Sequence, residues 1–183
     1  ACTMQPEVRT AVPAVTVPAE VPRAAGPFVS AANPHAVAAG MAVLDRGGTA
    51  ADAAVAVQAV LGLVEPQSSG LGGGAFMMWF DAEAGTVTVY DGRETAPAAA
   101  TPELFWQDGR PLSFPDAVMS GRSTGVPGAV AMLGLAQARH GRLAWADLFG
   151  DAERLAEEGF VVSPRLGGFI ASTRGQARSP WAN

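Results

Sequence analysis

The feature that most constrains this chain is a long apolar stretch followed directly by a glycine-rich loop. Residues 50–63 are mostly Ala and Val and carry almost no charge. A helix that is apolar on nearly every side is usually buried on several faces. The segment that comes after Pro66, residues 67–74, reads QSSGLGGG and fits no regular element. The chain therefore needs further layers of structure to cover this helix.

Two helices are predicted before the loop. Residues 33–34 (Asn-Pro) favour a helix start, because Asn caps the exposed N–H groups and Pro fits the first turn. This helix should end at residues 46–48 (Arg-Gly-Gly), where a cation precedes a glycine cap. The second helix should begin at Thr49, which with Asp52 resembles a capping box that has Asp in place of the usual Glu or Gln. It should end before the Glu-Pro pair at 65–66.

An antiparallel hairpin is predicted after the loop. Residues 75–80 (AFMMWF) and 86–90 (TVTVY) read as strands that the turn at 81–85 connects. The first strand does not alternate apolar and polar side chains. This pattern indicates that both of its faces are covered, as in a sheet stacked on another layer.

Mainly helical structure is predicted for the second half of the chain. Helices are expected at 128–140 and 144–158, and another should start at Ser163-Pro164. A short strand is predicted at 160–162. The segments 91–97 and 121–128 are rich in turn-forming residues and read as loops.

Composition excludes several classes of protein. With 49% hydrophobic and 16% charged residues, the chain has enough apolar material for a core. A net charge of −5 without a basic stripe argues against a nucleic-acid partner. No transmembrane helix is predicted, because no stretch of about 18 residues is free of charges and helix breakers.

Metal and cofactor sites are not predicted either. Cys2 is the only cysteine, and the two histidines match no metal-ligand spacing. His35 is expected in the first turn of its helix. His140 is expected at a helix C-terminus, where a cation interacts favourably with the helix dipole. We therefore expect no metal and no other cofactor.

Residues 1–27 read as a Pro- and Ala-rich linker before an incomplete globular domain at 28–183. The dense prolines prevent helix formation and favour an extended chain. Cys2 follows a small residue and precedes this tether, as in the processed start of a bacterial lipoprotein. Acylation of Cys2, and with it a membrane anchor, is therefore a hypothesis beside a plain tail.

The glycine-rich loop contains a literal dinucleotide fingerprint in the wrong context. Residues 70–75 satisfy G-x-G-x-x-A. That fingerprint follows a strand and opens a helix, so that the helix N-terminus meets the pyrophosphate. Here a helix precedes the loop and a strand follows it. A core turn or the floor of a cleft fits these glycines better.

Arg93 is the candidate binding residue. It follows Gly92 where the second strand ends, and an arginine can hold a carboxylate through two parallel hydrogen bonds. The alternative is an ordinary surface ion pair with Asp91 or Glu94, which the residues alone favour. No catalytic constellation is visible, and a G-x-S-x-G nucleophile motif is absent from the sequence.

Several segments together resemble the beginning of the γ-glutamyltransferase large subunit. They are NPHAVAAGMAVLDRGGTAADAAVAVQAVLGLVEPQSSGLGGGAF at 33–76, DGRETAP at 91–97, GRSTGVPGAV at 121–130, and the segment from HGRLAWADLF to SPRL at 140–166. The likeness runs from about residue 30 to residue 166, in the order of the family. Separate motifs that agree in order are far more specific than one glycine pattern.

The resemblance implies a fold, an activity and a location. The fold is an α/β arrangement, the four-layer αββα sandwich of N-terminal-nucleophile hydrolases, with only its N-terminal portion present. The activity is transfer of the γ-glutamyl group from glutathione or other γ-glutamyl amides to water or amino acids. A precursor cleaves itself, and the new N-terminal threonine of the small subunit forms the acyl-enzyme. We expect a periplasmic or extracellular enzyme, partnered by its own small subunit.

The resemblance also assigns one site residue in this chain. In the family, the arginine of the D-G-R-E motif grips the α-carboxylate of the γ-glutamyl group, which here is Arg93. The glycines at 72–74 then read as tight backbone packing. No Thr-Thr pair, as in the family's nucleophile motif, occurs in these residues. We therefore assign no catalytic residue here and expect this chain alone to be inactive. With sheet edges and apolar faces left uncovered, it should also be poorly folded or prone to aggregation.

Two alternatives stay open. Within the same fold, a cephalosporin acylase-like enzyme would take a glutaryl side chain, which lacks the α-amino group. From a different class, the chain could be a non-catalytic protein with a binding or structural role.

Overall fold

The computed structural model describes residues 26–172. Cys2 and nearly all of the predicted 1–27 linker lie outside the described residues, so the lipoprotein hypothesis stays a prediction.

The described part contains α-helices and two small antiparallel hairpins. The helices are α1 (Pro34–Asp45), α2 (Ala50–Val64), α3 (Phe114–Met119), α4 (Ala129–His140), α5 (Gly150–Glu158) and α6 (Pro164–Ser172). The strands are β1 (Ala75–Asp81), β2 (Thr86–Gly92), β3 (Trp106–Gln107) and β4 (Arg110–Pro111). Short 3₁₀ turns cover Gly121–Ser123 and Trp145–Leu148.

The predicted caps of α1 and α2 are confirmed. Oδ1 of Asn33 accepts a hydrogen bond of 3.0 Å from the His35 N–H. At the other end of α1, Gly47 adopts a positive φ of 85°, the conformation that glycine tolerates best. The capping box of α2 is complete: the Thr49 N–H donates to Asp52 Oδ2 at 2.8 Å, and the Asp52 N–H donates to Thr49 Oγ1 at 3.4 Å.

Helix α2 is the centre of the core, as its apolar composition predicts. It packs against α1, α4, α5 and the 3₁₀ turn at Trp145–Leu148. Its fully buried apolar side chains are Ala51, Ala53, Val55, Ala56, Ala59, Val60 and Val64. The small Ala and Val side chains allow neighbouring helices to approach α2 from several directions.

The charged ends of α2 are also buried and paired. Glu65 directly follows the helix and accepts hydrogen bonds from Asn33 Nδ2 at 3.1 Å and from Gln67 Nε2 at 2.6 Å. Arg165 of α6 reaches the same carboxylate, with Nη1 2.6 Å from Oε2. The hydrogen bonds from Asn33 and Gln67, together with the Arg165 charge, outweigh the effect of burial and hold the Glu65 pKa below its ordinary value. This carboxylate therefore ties α6 and the start of the glycine-rich loop to the core.

The predicted hairpin is confirmed, and each strand is slightly longer than expected. Strands β1 and β2 pair antiparallel over 75–81 and 86–92. Met77 and Trp79 pack towards the core on the side of α4, together with buried Tyr90. His140, the last residue of α4, stacks on Trp79 with ring centroids 4.3 Å apart, and its Nε2 lies 2.7 Å from the Tyr90 hydroxyl. His140 thus joins the hairpin to α4 as well as ending the helix.

The expectation that both faces of β1 are covered is wrong for the described residues. Phe76, Met78 and Phe80 point away from α4 and are 61%, 73% and 62% exposed. Val87 and Val89 of β2 extend this apolar face and are exposed as well. Helix α4 covers only one side of the hairpin, and no second layer lies on the other side among residues 26–172.

Two predictions in the second half are wrong, and two elements were not anticipated. The predicted helix at 144–158 is a 3₁₀ turn followed by α5, which begins only at Gly150. Residues 160–162 form no strand: Val161 is 88% exposed, and no described strand lies beside it to pair with. The small β3–β4 hairpin and α3 lie in a segment that carried no clear periodicity. The predicted start of α6 at Pro164 is confirmed.

Candidate functional site

Three loops meet beside the N-terminus of α4. The loop that leaves β2 forms a two-way bridge with the segment before α4: the Val126 N–H donates to the Thr95 carbonyl at 2.9 Å, and the Thr95 N–H donates to the Val126 carbonyl at 3.3 Å. The glycine-rich loop is hydrogen-bonded to the start of α4: the Gly73 carbonyl accepts hydrogen bonds from the N–H groups of Gly128 and Ala129. These backbone bonds bring together three motifs that are far apart in sequence.

Glycines are needed where the loops cross. A Cβ atom on Gly128 would lie 2.6 Å from the Gly92 carbonyl oxygen, and one on Gly74 would lie 2.5 Å from Glu94 Oε2. Of the three glycines at 72–74, only Gly74 is in such close contact; Gly72 has open space around it, and Gly73 has ordinary contacts. The expectation of tight packing is therefore confirmed for Gly74 alone.

Glu94 connects the glycine-rich loop to Arg93. Its Oε1 accepts a hydrogen bond of 2.8 Å from the Gly74 N–H, and its Oε2 lies 3.4 Å from Arg93 Nε. The pKa of this carboxyl lies below its ordinary value, chiefly because the carboxylate accepts a hydrogen bond from its own backbone N–H. The Arg93 charge and the Gly74 N–H lower the pKa further, and burial raises it. Glu94 is therefore ionised over the ordinary pH range.

Arg93 lies directly after β2, as the sequence predicts. Its backbone N–H donates to Asp91 Oδ1 at 2.9 Å, and its side chain is 62% exposed. The ion pair weighed as an alternative is present, with Glu94 as the partner. It uses only Nε, and Nη1 and Nη2 form no hydrogen bond with the described residues. Pairing with Glu94 and binding an external carboxylate are therefore compatible.

An open cavity of about 580 Å³ lies in front of Arg93. Among its lining residues are Gly72, Arg93, Glu94, Phe105, Arg122 and Thr124. Arg122 is a second cation that the sequence showed only as part of a motif. Its Nη1 donates to the carbonyls of Trp106 at 2.9 Å and Leu104 at 3.4 Å. Its place in the site depends on the β3–β4 segment, which no sequence pattern revealed.

The histidines do not contribute to this cavity. His35 is exposed in the first turn of α1, and His140 belongs to the contact between α4 and the hairpin. Within residues 26–172 no group of three His, Cys, Asp or Glu side chains is arranged to hold a metal ion. In the same range, no helix is long and apolar enough to cross a membrane.

The architecture matches solved structures of the N-terminal-nucleophile hydrolase fold. The family model for gamma-glutamyltranspeptidase matches residues 36–182. The chain therefore belongs to the γ-glutamyltranspeptidase family, and it aligns with the N-terminal part of the large subunit.

Individual relatives agree with this assignment. The chain is 41% identical over 140 residues to a glutathione hydrolase proenzyme of Bacillus subtilis, covering 76% of this chain and 24% of that protein. It superposes on the gamma-glutamyltranspeptidase of Pseudomonas nitroreducens, solved in complex with L-DON, with a TM-score of 0.78 and 29% identity, over 84% of this chain and 45% of that one.

A cephalosporin acylase from Bacillus halodurans is also similar in structure. The TM-score is 0.68 and the identity 28%, over 93% of this chain and 32% of that one. The chain thus spans about a quarter of the length of the Bacillus subtilis relative and less than half of these solved chains.

Proposed function

We propose that the complete protein transfers the γ-glutamyl group of glutathione and other γ-glutamyl amides to water or amino acids. The reaction proceeds through an acyl-enzyme on a threonine that self-cleavage exposes at the N-terminus of the small subunit. Family membership and the names of the relatives, glutathione hydrolase and gamma-glutamyltranspeptidase, support this proposal. The small subunit is accordingly the obligatory partner of this chain.

In this proposal Arg93 holds the α-carboxylate of the γ-glutamyl group. The observation that supports it is the pair of unoccupied guanidinium nitrogens, Nη1 and Nη2, on a side chain that lines the cavity. The ion pair with Glu94 involves Nε, at 3.4 Å, and leaves the Nη1 and Nη2 side of the guanidinium open to a ligand. A planar fork held in this way fixes the orientation of the substrate as well as its affinity.

In this proposal the two subunits bind different ends of the substrate. This chain supplies the anchor for the end of the substrate that does not react, and the small subunit supplies the nucleophile. An anchor of this kind raises the effective concentration of the γ-carbonyl at the nucleophile and limits its orientation. Binding energy from the α-carboxylate therefore serves the chemistry at the other end of the glutamyl group.

Steady-state kinetics of the complete, matured enzyme test this role. We expect Arg93→Ala to raise KM for γ-glutamyl-p-nitroanilide by about ten- to a hundredfold, because a charge-assisted clamp contributes about 1.5–3 kcal/mol. Arg154→Ala, which removes an exposed arginine from α5, is the matched control and should leave KM unchanged. An unchanged KM in Arg93→Ala would refute the assignment.

The structural likeness to a cephalosporin acylase makes a glutaryl amide the competing substrate. A glutaryl group has no α-amino group, so the two substrate classes differ by one charge at the end that does not react. Assaying γ-glutamyl-p-nitroanilide beside glutaryl-p-nitroanilide decides between them. A preference for the glutaryl compound would replace the proposed activity with that of an acylase.

We also propose a periplasmic or extracellular location, with Cys2 as the lipid attachment site. The support is the sequence alone: a cysteine after a small residue, followed by a Pro-rich tether. Mass spectrometry of the protein purified from its host tests the proposal. A Cys2 peptide with the mass of an unmodified thiol would exclude the lipid anchor.

A further inference from the structure

The cavity in front of Arg93 contains more positive charge than the proposed clamp uses. Three charged side chains line it: Arg93, Glu94 and Arg122. Arg93 and Glu94 compensate each other, since they form an ion pair of 3.4 Å. Arg122 forms no ion pair with any carboxylate of the described residues. The cavity therefore has a net positive charge that a second anionic group would neutralise.

Arg122 is held in place by backbone carbonyls rather than by a counterion. Its Nη1 donates to the carbonyl oxygens of Trp106 at 2.9 Å and Leu104 at 3.4 Å. These bonds position the guanidinium but leave its charge uncompensated. Nη2 and Nε form no hydrogen bond with the described residues. Like Arg93, the side chain is thus anchored on one side and open on the other.

Apart from the two arginines and Glu94, the lining of the cavity carries no charge. Leu104, Phe105, Ala96 and Pro97 line the same cavity, and their side chains have no polar groups. A ligand with two anionic groups can therefore meet both arginines within one cavity. This arrangement suits a molecule that carries two carboxylates.

We propose that Arg122 binds a carboxylate on the leaving group, which selects γ-glutamyl peptides with a free C-terminus over neutral γ-glutamyl amides. The inference rests on the proposed function, in which Arg93 takes the α-carboxylate. Glutathione carries both carboxylates, one in its glutamyl part and one at its C-terminal glycine. Arg122 then determines specificity without taking part in the chemical step.

The test compares glutathione with glutathione C-terminal amide in the complete, matured enzyme. The two donors differ only in the charge that Arg122 is proposed to bind. In the wild type, kcat/KM should be higher for glutathione by about tenfold, the lower end of the range for a charged hydrogen bond because Arg122 is exposed. Arg122→Gln should reduce this preference to nearly one, chiefly by lowering kcat/KM for glutathione.

Arg110→Gln is the matched control, because it removes an arginine from the neighbouring strand β4 that does not line the cavity. It should keep the wild-type preference. Equal losses for both donors in Arg122→Gln would show that Arg122 only supports the Leu104 and Trp106 backbone, and would overturn the inference. So would a wild-type enzyme that does not discriminate between the donors.

The outcome also separates this inference from the proposed function. If the wild type cleaves neither donor, the proposed function fails and the inference fails with it. If it cleaves both and Arg93→Ala raises KM while Arg122→Gln leaves the preference intact, only the role of Arg122 is refuted.

Discussion

The Gly74 N–H donates a hydrogen bond of 2.8 Å to Oε1 of Glu94, and this contact joins the glycine-rich loop to the residue beside Arg93. The approach is so close that a Cβ on Gly74 would lie 2.5 Å from Oε2 and 2.7 Å from the backbone nitrogen of Glu94. The position of Glu94, and through it the orientation of Arg93, therefore depends on the absence of a side chain at residue 74.

Gly74→Ala should accordingly weaken substrate binding. The methyl group has to displace Glu94, including its backbone, so Arg93 loses its partner at Nε. We expect KM for γ-glutamyl-p-nitroanilide to rise by about tenfold, with a smaller change in kcat. Gly70→Ala in the same loop is the control, because a Cβ there meets no atom within 4 Å. The prediction is wrong if both variants have the same KM.

Asp52 makes the stability of the fold depend on pH. This fully buried carboxylate accepts hydrogen bonds from the N–H of Thr49, from Gln137 Nε2 and from the N–H groups of Arg142 and Leu143. Burial raises its pKa, but the hydrogen bonds outweigh burial and place it below the ordinary value of 3.8. The carboxylate therefore ties the start of α2 to the loop after α4.

Because the pKa of Asp52 is lower in the folded state, the unfolded chain takes up the proton first as the pH falls. Asp52 therefore makes its full contribution to the free energy of unfolding at pH values above its pKa in the unfolded chain. This contribution is lost as the pH falls through the pKa of Asp52 in the folded protein. Asp52→Asn should destabilise by about 1–3 kcal/mol at neutral pH. Urea unfolding of the complete protein at about pH 6 and about pH 3 should show this difference shrinking in acid; a constant difference would contradict it.

Gly141 is required by the same network. A Cβ on Gly141 would collide with Oδ1 of Asp52 and would lie 2.5 Å from Nε2 of Gln137. Gly141→Ala should therefore lower the free energy of unfolding by about 2 kcal/mol or more, since it breaks buried hydrogen bonds.

Gly134 provides the matched control in α4. A Cβ there meets no atom within 4 Å, so Gly134→Ala should stabilise the helix by about 0.5–1 kcal/mol. Chemical denaturation of both variants should give shifts of opposite sign. Two shifts of the same sign would show that helix propensity, and not the Asp52 contact, dominates at residue 141.

The exposed face of the hairpin should make the isolated chain associate with itself. Phe76, Met78 and Phe80 lie next to exposed Val87 and Val89, and a contiguous apolar face of this kind promotes aggregation. We expect Met78→Lys to reduce the oligomer fraction of the purified 183-residue chain in light scattering. Val161→Lys, at an equally exposed apolar residue outside the hairpin, should have less effect. Equal effects would indicate general solubilisation by charge.

Local signals in the sequence predicted much of the secondary structure correctly. The caps at Asn33 and Thr49, the apolar run of α2 and the two strands of the hairpin all arise from interactions between residues close in sequence. Arg93 was placed at the end of β2 for the same reason. The resemblance of the D-G-R-E motif to the family then supplied a candidate ligand, which no local pattern contains.

Other elements depended on packing that local sequence does not encode. The predicted helix at 144–158 is interrupted because Leu148 is buried, while Trp145 and Phe149 pack together in edge-to-face contact. Gly150 weakens a continuous helix, and Asp151 and Glu153 favour a new start there. Apolar residues at 160–162 have strand propensity, but a strand needs a partner, and the described structure provides none.

By itself, the sequence determined the family and the principal helices and hairpin, and it singled out Arg93 as the candidate residue for binding a carboxylate. Caps, periodicity and motif order depend only on the residue types and their order along the chain, so the sequence alone reveals them. Only the tertiary structure decided that Glu94 binds Arg93 through Nε, that Gly74 permits this contact, and that Arg122 lines the same cavity. The Gly74–Glu94 contact and the cavity that Arg93 shares with Arg122 join residues 20 to 30 positions apart, through backbone crossings whose geometry depends on how the loops pack.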